Sequence, residues 1–142
     1  MRVGTCRFGL WYVTVHWDEQ TAYRIRFSLT GEEGPVPASI RLYLAGKARE
    51  IDLESVALRG NSTFARIYRE VREVPYGKTA SYGEIAKRVG TGPRVVGMAM
   101  ARNPTPLVIP CHRIVGARSL GGFSSGLALK KDLLALEQEH LK

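Results

Sequence analysis

At 142 residues with 44% apolar composition, the chain is long enough for one ordinary domain, or two small ones sharing a core. No apolar run approaches membrane-spanning length, and Met1-Arg2-Val3-Gly4 has no signal-peptide pattern, so a cytosolic location, or a nuclear one in a eukaryote, is expected. Two distant cysteines and three scattered histidines argue against a disulfide framework and a conventional zinc site, and the net charge of +8 is concentrated in residues 61–142, which carry +7 of it. That excess favours a polyanionic partner, nucleic acid first; a solvated basic face or a membrane surface fits the same charge.

The first 60 residues read as β-rich. Val13, Val15 and Trp17 alternate with Tyr12, Thr14 and His16, and Tyr23, Ile25, Phe27 and Leu29 alternate with Arg24, Arg26 and Ser28. With Asp18-Glu19-Gln20 between them, this predicts an antiparallel hairpin with one buried face. Residues 31–37 form a loop, Ile40 to Ala45 a short helix ended by Gly46, and residues 46–60 a connection. Helices follow. Asn61 or Ser62 can cap a helix with the apolar stripe Phe64, Ile67, Tyr68, Val71 and Val74, stopped by Pro75-Tyr76-Gly77. Ser81 to Glu84 has capping-box spacing and opens a helix to about Val89, with Gly90 at its C-terminal end. Pro93 starts the next helix, which runs to about Arg102, so two short helices joined by about three residues make a helix-turn-helix. A last helix spans roughly Leu127 to Leu141.

Ile109-Pro110-Cys111-His112-Arg113-Ile114-Val115 sets a thiol, an imidazole and a guanidinium side by side. Nearby positive charge favours a thiolate, which makes Cys111 a candidate nucleophile; a small buried apolar residue is the plainer reading. Arg113 supplies the cation and is also a candidate for contacting DNA. Gly97 lies inside a helix of small residues with Ala99 and Ala101, where glycine costs about 1 kcal/mol relative to alanine. It suggests close approach of another body, a neighbouring helix or a ligand. Arg94 stands at the N-terminus of that helix, against the dipole, where recognition helices meet DNA; an ordinary exposed arginine is the alternative. Glu137 falls on a leucine stripe, so it either has a buried partner, for which His112 is suitable, or reaches water at the stripe's edge. Carboxylate, histidine and cysteine together have the logic of a triad. The sulfur could attack a carbonyl, as in a hydrolase, or an alkyl carbon, as in a transferase. Chemistry on a base in a duplex would require extruding that base.

Pro110-Cys111-His112-Arg113, with Asn103-Pro104 upstream, resembles the active-site signature of the O6-alkylguanine-DNA alkyltransferases. Val74-Pro75-Tyr76-Gly77-Lys78, Ser81-Tyr82, Arg94-Val95-Val96-Gly97 and Gly121-Gly122-Phe123-Ser124 extend the match in the same order over about residues 62–141. The N-terminal part is a weaker match, carried mainly by Leu42-Tyr43-Leu44-Ala45-Gly46-Lys47. The resemblance implies an α+β fold: a small antiparallel β-rich domain, residues 1–60 with the connection, and a helical domain with a helix-turn-helix, residues 61–142.

It also implies the roles. Cys111 accepts the alkyl group once, and His112 acts as its base through a water, oriented by Glu137. Asn103 holds the active-site turn. Tyr82 lies against the flipped guanine and serves its leaving form. Arg94 fills the place of the extruded nucleotide through the minor groove, where Gly97, Ala99 and Ala101 suit close approach. Ser124 offers a backbone N–H near the guanine oxygen, Lys130 is a neighbouring pocket residue, and Phe123 stands where the family commonly has tyrosine. Double-stranded DNA carrying O6-alkylguanine is the implied partner, for a monomer with no membrane contact, cofactor or metal. The rival readings are a non-catalytic lesion-binding module, whose relatives lack the cysteine, a transcriptional regulator and a cysteine hydrolase.

Overall fold

The computed structural model describes residues 1–141; Lys142, the end of the expected helical domain, lies outside them. The N-terminal part is a four-stranded sheet in the order β1 (Arg2–Phe8), β2 (Trp11–Asp18), β3 (Thr21–Ser28), β4 (Glu54–Ser55). The first three strands form an antiparallel meander, and β4 runs parallel to β3. Strands β1 and β4 were not expected. In β1 the inward row is Gly4, Cys6 and Phe8, and the glycine interrupts the apolar alternation. Its reason is steric: a Cβ at Gly4 would sit 1.6 Å from the Pro35 carbonyl oxygen.

The hairpin between β2 and β3 is as expected, but the buried row on β3 differs at both ends. Val13 faces Phe27 and Val15 faces Ile25; an irregularity at His16/Trp17 then sets Trp17 opposite Ala22, so Ala22 rather than Tyr23 is buried. Leu29 lies beyond the strand and is 66% exposed.

Helix α1 (Ala38–Leu44) follows and is closed by Gly46 at φ 74°. Helix α2 (Thr63–Arg72) is capped by the Ser62 hydroxyl and buries Ile67, Tyr68 and Val71. Helix α3 (Tyr82–Val89) has the full Ser81–Glu84 capping box and ends in Gly90 in the left-handed region. Helix α4 (Pro93–Ala101) has its proline in the first turn. With α3 it forms the expected helix-turn-helix, and α5 (Leu127–Glu139) closes the described chain. A two-residue parallel pair, β5 (Ala80–Ser81) with β6 (Ile114–Val115), ties the start of α3 to the segment after Cys111. No helix among the described residues is long and apolar enough to cross a membrane.

Apolar side chains gather in two clusters. One joins the sheet and α1 to Leu107, Val108 and the α5 residues Leu129, Leu133 and Leu136. The other joins α2, α3 and α4 to Ile109, Cys111 and Ile114. The segment 107–111 therefore passes from one core into the other, and burial of its apolar residues, each worth about 1.5–3 kcal/mol when complete, fixes the cysteine at the boundary.

Candidate active site

The turn that presents Cys111 is organised by Asn103. Its amide donates to the Ile109 carbonyl at 2.9 Å, and its oxygen accepts the Thr105 N–H at 3.0 Å. The sheet side holds the same turn. The Ile25 N–H donates to the Pro104 carbonyl at 2.9 Å, and the buried Ser55 and Thr105 hydroxyls lie 2.6 Å apart. Leu107, in the sheet-side core, has φ 78°, an unfavourable backbone for a side chain of its size that persists only where the surroundings over-determine it.

Cys111, His112 and Arg113 form a single 3-10 turn, in which consecutive side chains diverge by a third of a revolution. Cys111 borders a cavity of about 280 Å3. His112 and Arg113 converge on Glu137 from α5. His112 Nε2 lies 2.7 Å from Glu137 Oε2, and Arg113 donates to the carboxylate from Nε and Nη2 at 2.9–3.1 Å. The Gly77 N–H donates to Oε1 at 2.9 Å, and the Tyr43 hydroxyl donates to Oε2. Glu137 is 0% exposed, which removes the alternative that it reaches water. Burial alone would raise its pKa, but the hydrogen bonds from His112 and Arg113, with the Arg113 charge, prevail and bring it down to about 2. Burial lowers the pKa of His112 despite Glu137, so the imidazole is held toward its neutral form. Its Nδ1 is buried with no partner among the described residues.

Two expectations are corrected here. Arg113 was a candidate for activating the thiol or contacting DNA; it is buried, and its remaining Nη1 donates to the Val74 carbonyl at 2.8 Å. The Cys111 thiol is not shifted toward thiolate. Burial pushes its pKa up to about 11, and a hydrogen bond from Asn103 and the charge of Lys130 oppose this only in part. Near neutral pH the resting group is a thiol, and a thiolate requires a base at the time of reaction.

Lys130 is fully buried and does not line the cavity. Its ammonium donates to the Ile114, Leu120 and Gly122 carbonyls, anchoring the loop that forms the cavity wall. From that loop come Phe123 and Ser124; Tyr82 faces them from the start of α3, and Gly97, Met100 and Ala101 close the α4 side. The Tyr82 hydroxyl accepts the Gly122 N–H at 3.3 Å, and a Cβ at Gly121 would come within 2.6 Å of that hydroxyl. Nothing lies within 4 Å of where a Gly97 Cβ would stand, so helix packing does not explain this glycine. Ala99 departs from the expected outward row: it is buried, and its carbonyl accepts from Tyr68 at 2.8 Å. Arg94 is exposed near the N-terminal end of α4, three residues before Gly97.

The structure thus brings Cys111, Tyr82, Gly97, Phe123 and Ser124 to one cavity, and His112, Arg113 and Glu137 to a buried network behind it. Tyr43 was missed as a member of that network. It stands in the Leu42–Lys47 stretch, but nothing local marks a tyrosine whose partner is 94 residues away.

Comparison with known proteins adds an independent line. Residues 62–139 match the model of the 6-O-methylguanine DNA methyltransferase DNA-binding domain. A methylated-DNA–protein-cysteine methyltransferase of Metallosphaera sedula is 46% identical over 70% of this chain, an alignment spanning 64% of that protein, just under two thirds of its length. One of Archaeoglobus fulgidus is 37% identical over 92% of this chain and 95% of its own length. The crystal structure of Mycobacterium tuberculosis OGT in complex with DNA superposes with a TM-score of 0.82 at 30% identity, covering 97% of this chain and 93% of that one. The agreement of matched sequence and superposed fold leaves one conclusion: the chain belongs to the 6-O-methylguanine DNA methyltransferase family.

Proposed function

We propose that this protein repairs DNA directly, by moving an alkyl group from O6-alkylguanine in duplex DNA onto Cys111, once per molecule. The observation that carries this reading is a buried cysteine opening onto a cavity of base size, beside a neutral histidine with a free ring nitrogen. The helix-turn-helix delivers the duplex, with α4 in the minor groove and Arg94 taking the place of the extruded nucleotide. Phosphate contacts supply most of the affinity and make it salt-dependent. The base enters between Tyr82 and Phe123, with the Ser124 N–H toward O6, while Asn103 keeps the Cys111 turn in register.

The thiol proton passes through a water to His112 Nδ1. The sulfur attacks the alkyl carbon, a carbon–sulfur bond forms, the carbon–oxygen bond breaks, and its electron pair stays on O6. Guanine takes a proton from solvent on its ring nitrogen, with the Tyr82 hydroxyl alongside, and His112 releases the thiol's proton to solvent, so one proton is lost and one gained. The thioether has no easy leaving path, so the protein is consumed. The step calls for no metal or cofactor, the protein acts as a monomer, and it works in the cytoplasm or nucleus. In this reading residues 61–142 carry the chemistry, and residues 1–60 support the turn that presents Cys111.

Intact mass after mixing with excess duplex bearing O6-methylguanine tests the reading. One added methyl per protein, mapped to Cys111 and absent in Cys111→Ala, is the expected result. Tight lesion binding with no change in mass would make the chain a recognition module instead, and multiple turnovers would make it a hydrolase.

A further inference from the structure

We propose that Tyr43 is a positioning residue for alkyl transfer, fixing His112 in the tautomer that leaves Nδ1 as the free base. The inference rests on the functional reading above and deepens it.

Tyr43 comes from α1 on the sheet side, is 1% exposed, and packs edge-on against Tyr76 with ring centroids 5.9 Å apart. Its hydroxyl touches two groups: it donates to Glu137 Oε2 and lies 3.2 Å from His112 Nε2. A phenol has one proton and a carboxylate can only accept, so the proton belongs to Glu137. The phenol keeps that proton because burial, and then the Glu137 charge, raise its pKa well above the ordinary value. The Tyr43 oxygen therefore offers His112 only lone pairs.

Nε2 thus faces two acceptors, Glu137 Oε2 at 2.7 Å and the Tyr43 oxygen at 3.2 Å, and must itself carry the ring proton. The lone pair of the neutral imidazole then sits on Nδ1, the atom with no partner among the described residues. A second acceptor at Nε2 adds to what Glu137 does alone, and the donated hydroxyl also moderates the basicity of Glu137. Without it the carboxylate would hold the imidazolium more strongly, and His112 would be a less available base near neutral pH.

Tyr43→Phe keeps the ring and removes the hydroxyl, separating this role from core filling. Three quantities are read per folded protein: the single-turnover methyl-transfer rate at saturating lesion duplex, its pH profile, and the 15N shifts of the His112 ring without DNA. A loss of about tenfold in rate is expected, short of the loss of a general base altogether. The acid limb of the profile should move to higher pH, and the two ring-nitrogen shifts should converge as the tautomers mix. Lesion affinity, measured in a Cys111→Ala background, should stay within about twofold, because Tyr43 is buried and does not line the Cys111 cavity. An unchanged rate, profile and 15N pattern would overturn the proposal and leave Tyr43 a core residue. So would a wild-type spectrum with the His112 proton on Nδ1, a result that needs no variant to fold. If the wild type transfers no methyl, the functional reading fails, while the 15N comparison still decides whether Tyr43 sets the tautomer.

Discussion

Two regions meet at Cys111 and are built in opposite ways. Behind it lies a buried polar network in which four residues lie within hydrogen-bond reach of one carboxylate. In front lies a cavity with walls of small, aromatic or half-exposed groups, where a Gly97 Cβ would meet nothing within 4 Å. The first arrangement holds one geometry closely, because any lost partner leaves a buried charge or dipole unmatched. The second leaves room. In the proposed reaction this contrast would hold His112 tightly while leaving room in front of Cys111 for a group delivered from outside.

The contrast can be broken most forcefully at Glu137. Glu137→Gln leaves the buried Arg113 cation without its counter-charge and should cost about 3–5 kcal/mol, measured by urea unfolding at neutral pH. Acid should reach the same network without mutation. Neutral His112 means that the unfolded chain takes up a proton first as pH falls below about 6.5, so stability begins to decline there. Glu137 is held near 2 against an ordinary 4.5, so its contribution is complete above 4.5 and disappears as pH falls toward 2; the shift corresponds to about 3 kcal/mol. A fall in the urea midpoint between pH 5 and 2.5 that is much shallower in Glu137→Gln is the expected pattern, and parallel curves would count against it.

On the cavity side the same kind of edit should do the reverse. Gly97→Ala should raise stability by about 0.5–1 kcal/mol, because the added methyl meets no atom and alanine is the better helix former. Transfer from a benzyl adduct should slow more than transfer from a methyl adduct; thermal melts paired with single-turnover rates test both. Phe123→Tyr should have the smallest effect. The aromatic wall remains and one hydroxyl is added, so rates should shift by only a few-fold, differently for methyl and benzyl adducts, and identical rates on both would show that the hydroxyl is irrelevant.

What the sequence disclosed follows the range of the interactions. Ser62, the Ser81–Glu84 box, Gly90 and Pro93 mark helix ends within four residues of themselves, and all are realised. Most of the cavity residues were legible through motifs, though Met100 was not. Strand β1 was not, because Gly4 is set by a distant carbonyl rather than by a pattern, and β4 is only two residues long. The burial of Ala22 in place of Tyr23 turns on an irregularity in β2–β3 pairing that alternation does not show. Tyr43 and the destination of Arg113 were hidden for the same reason: their contacts with Glu137 span 94 and 24 residues, and charge near a cysteine in sequence does not tell which group it serves in space.

Lys130 grips backbone oxygens, not side chains. The anchor is therefore indifferent to most of what it holds. Between Gly116 and Leu120 the anchor holds the main chain whatever most of the side chains are; the exception is Ser119, whose hydroxyl accepts the Gly121 N–H at 3.2 Å. The freedom ends at Gly121, where φ is 73° and Tyr82 stands against any added carbon. A few fixed points thus hold the cavity rim in place, and substitutions between them should alter its surface more than its shape.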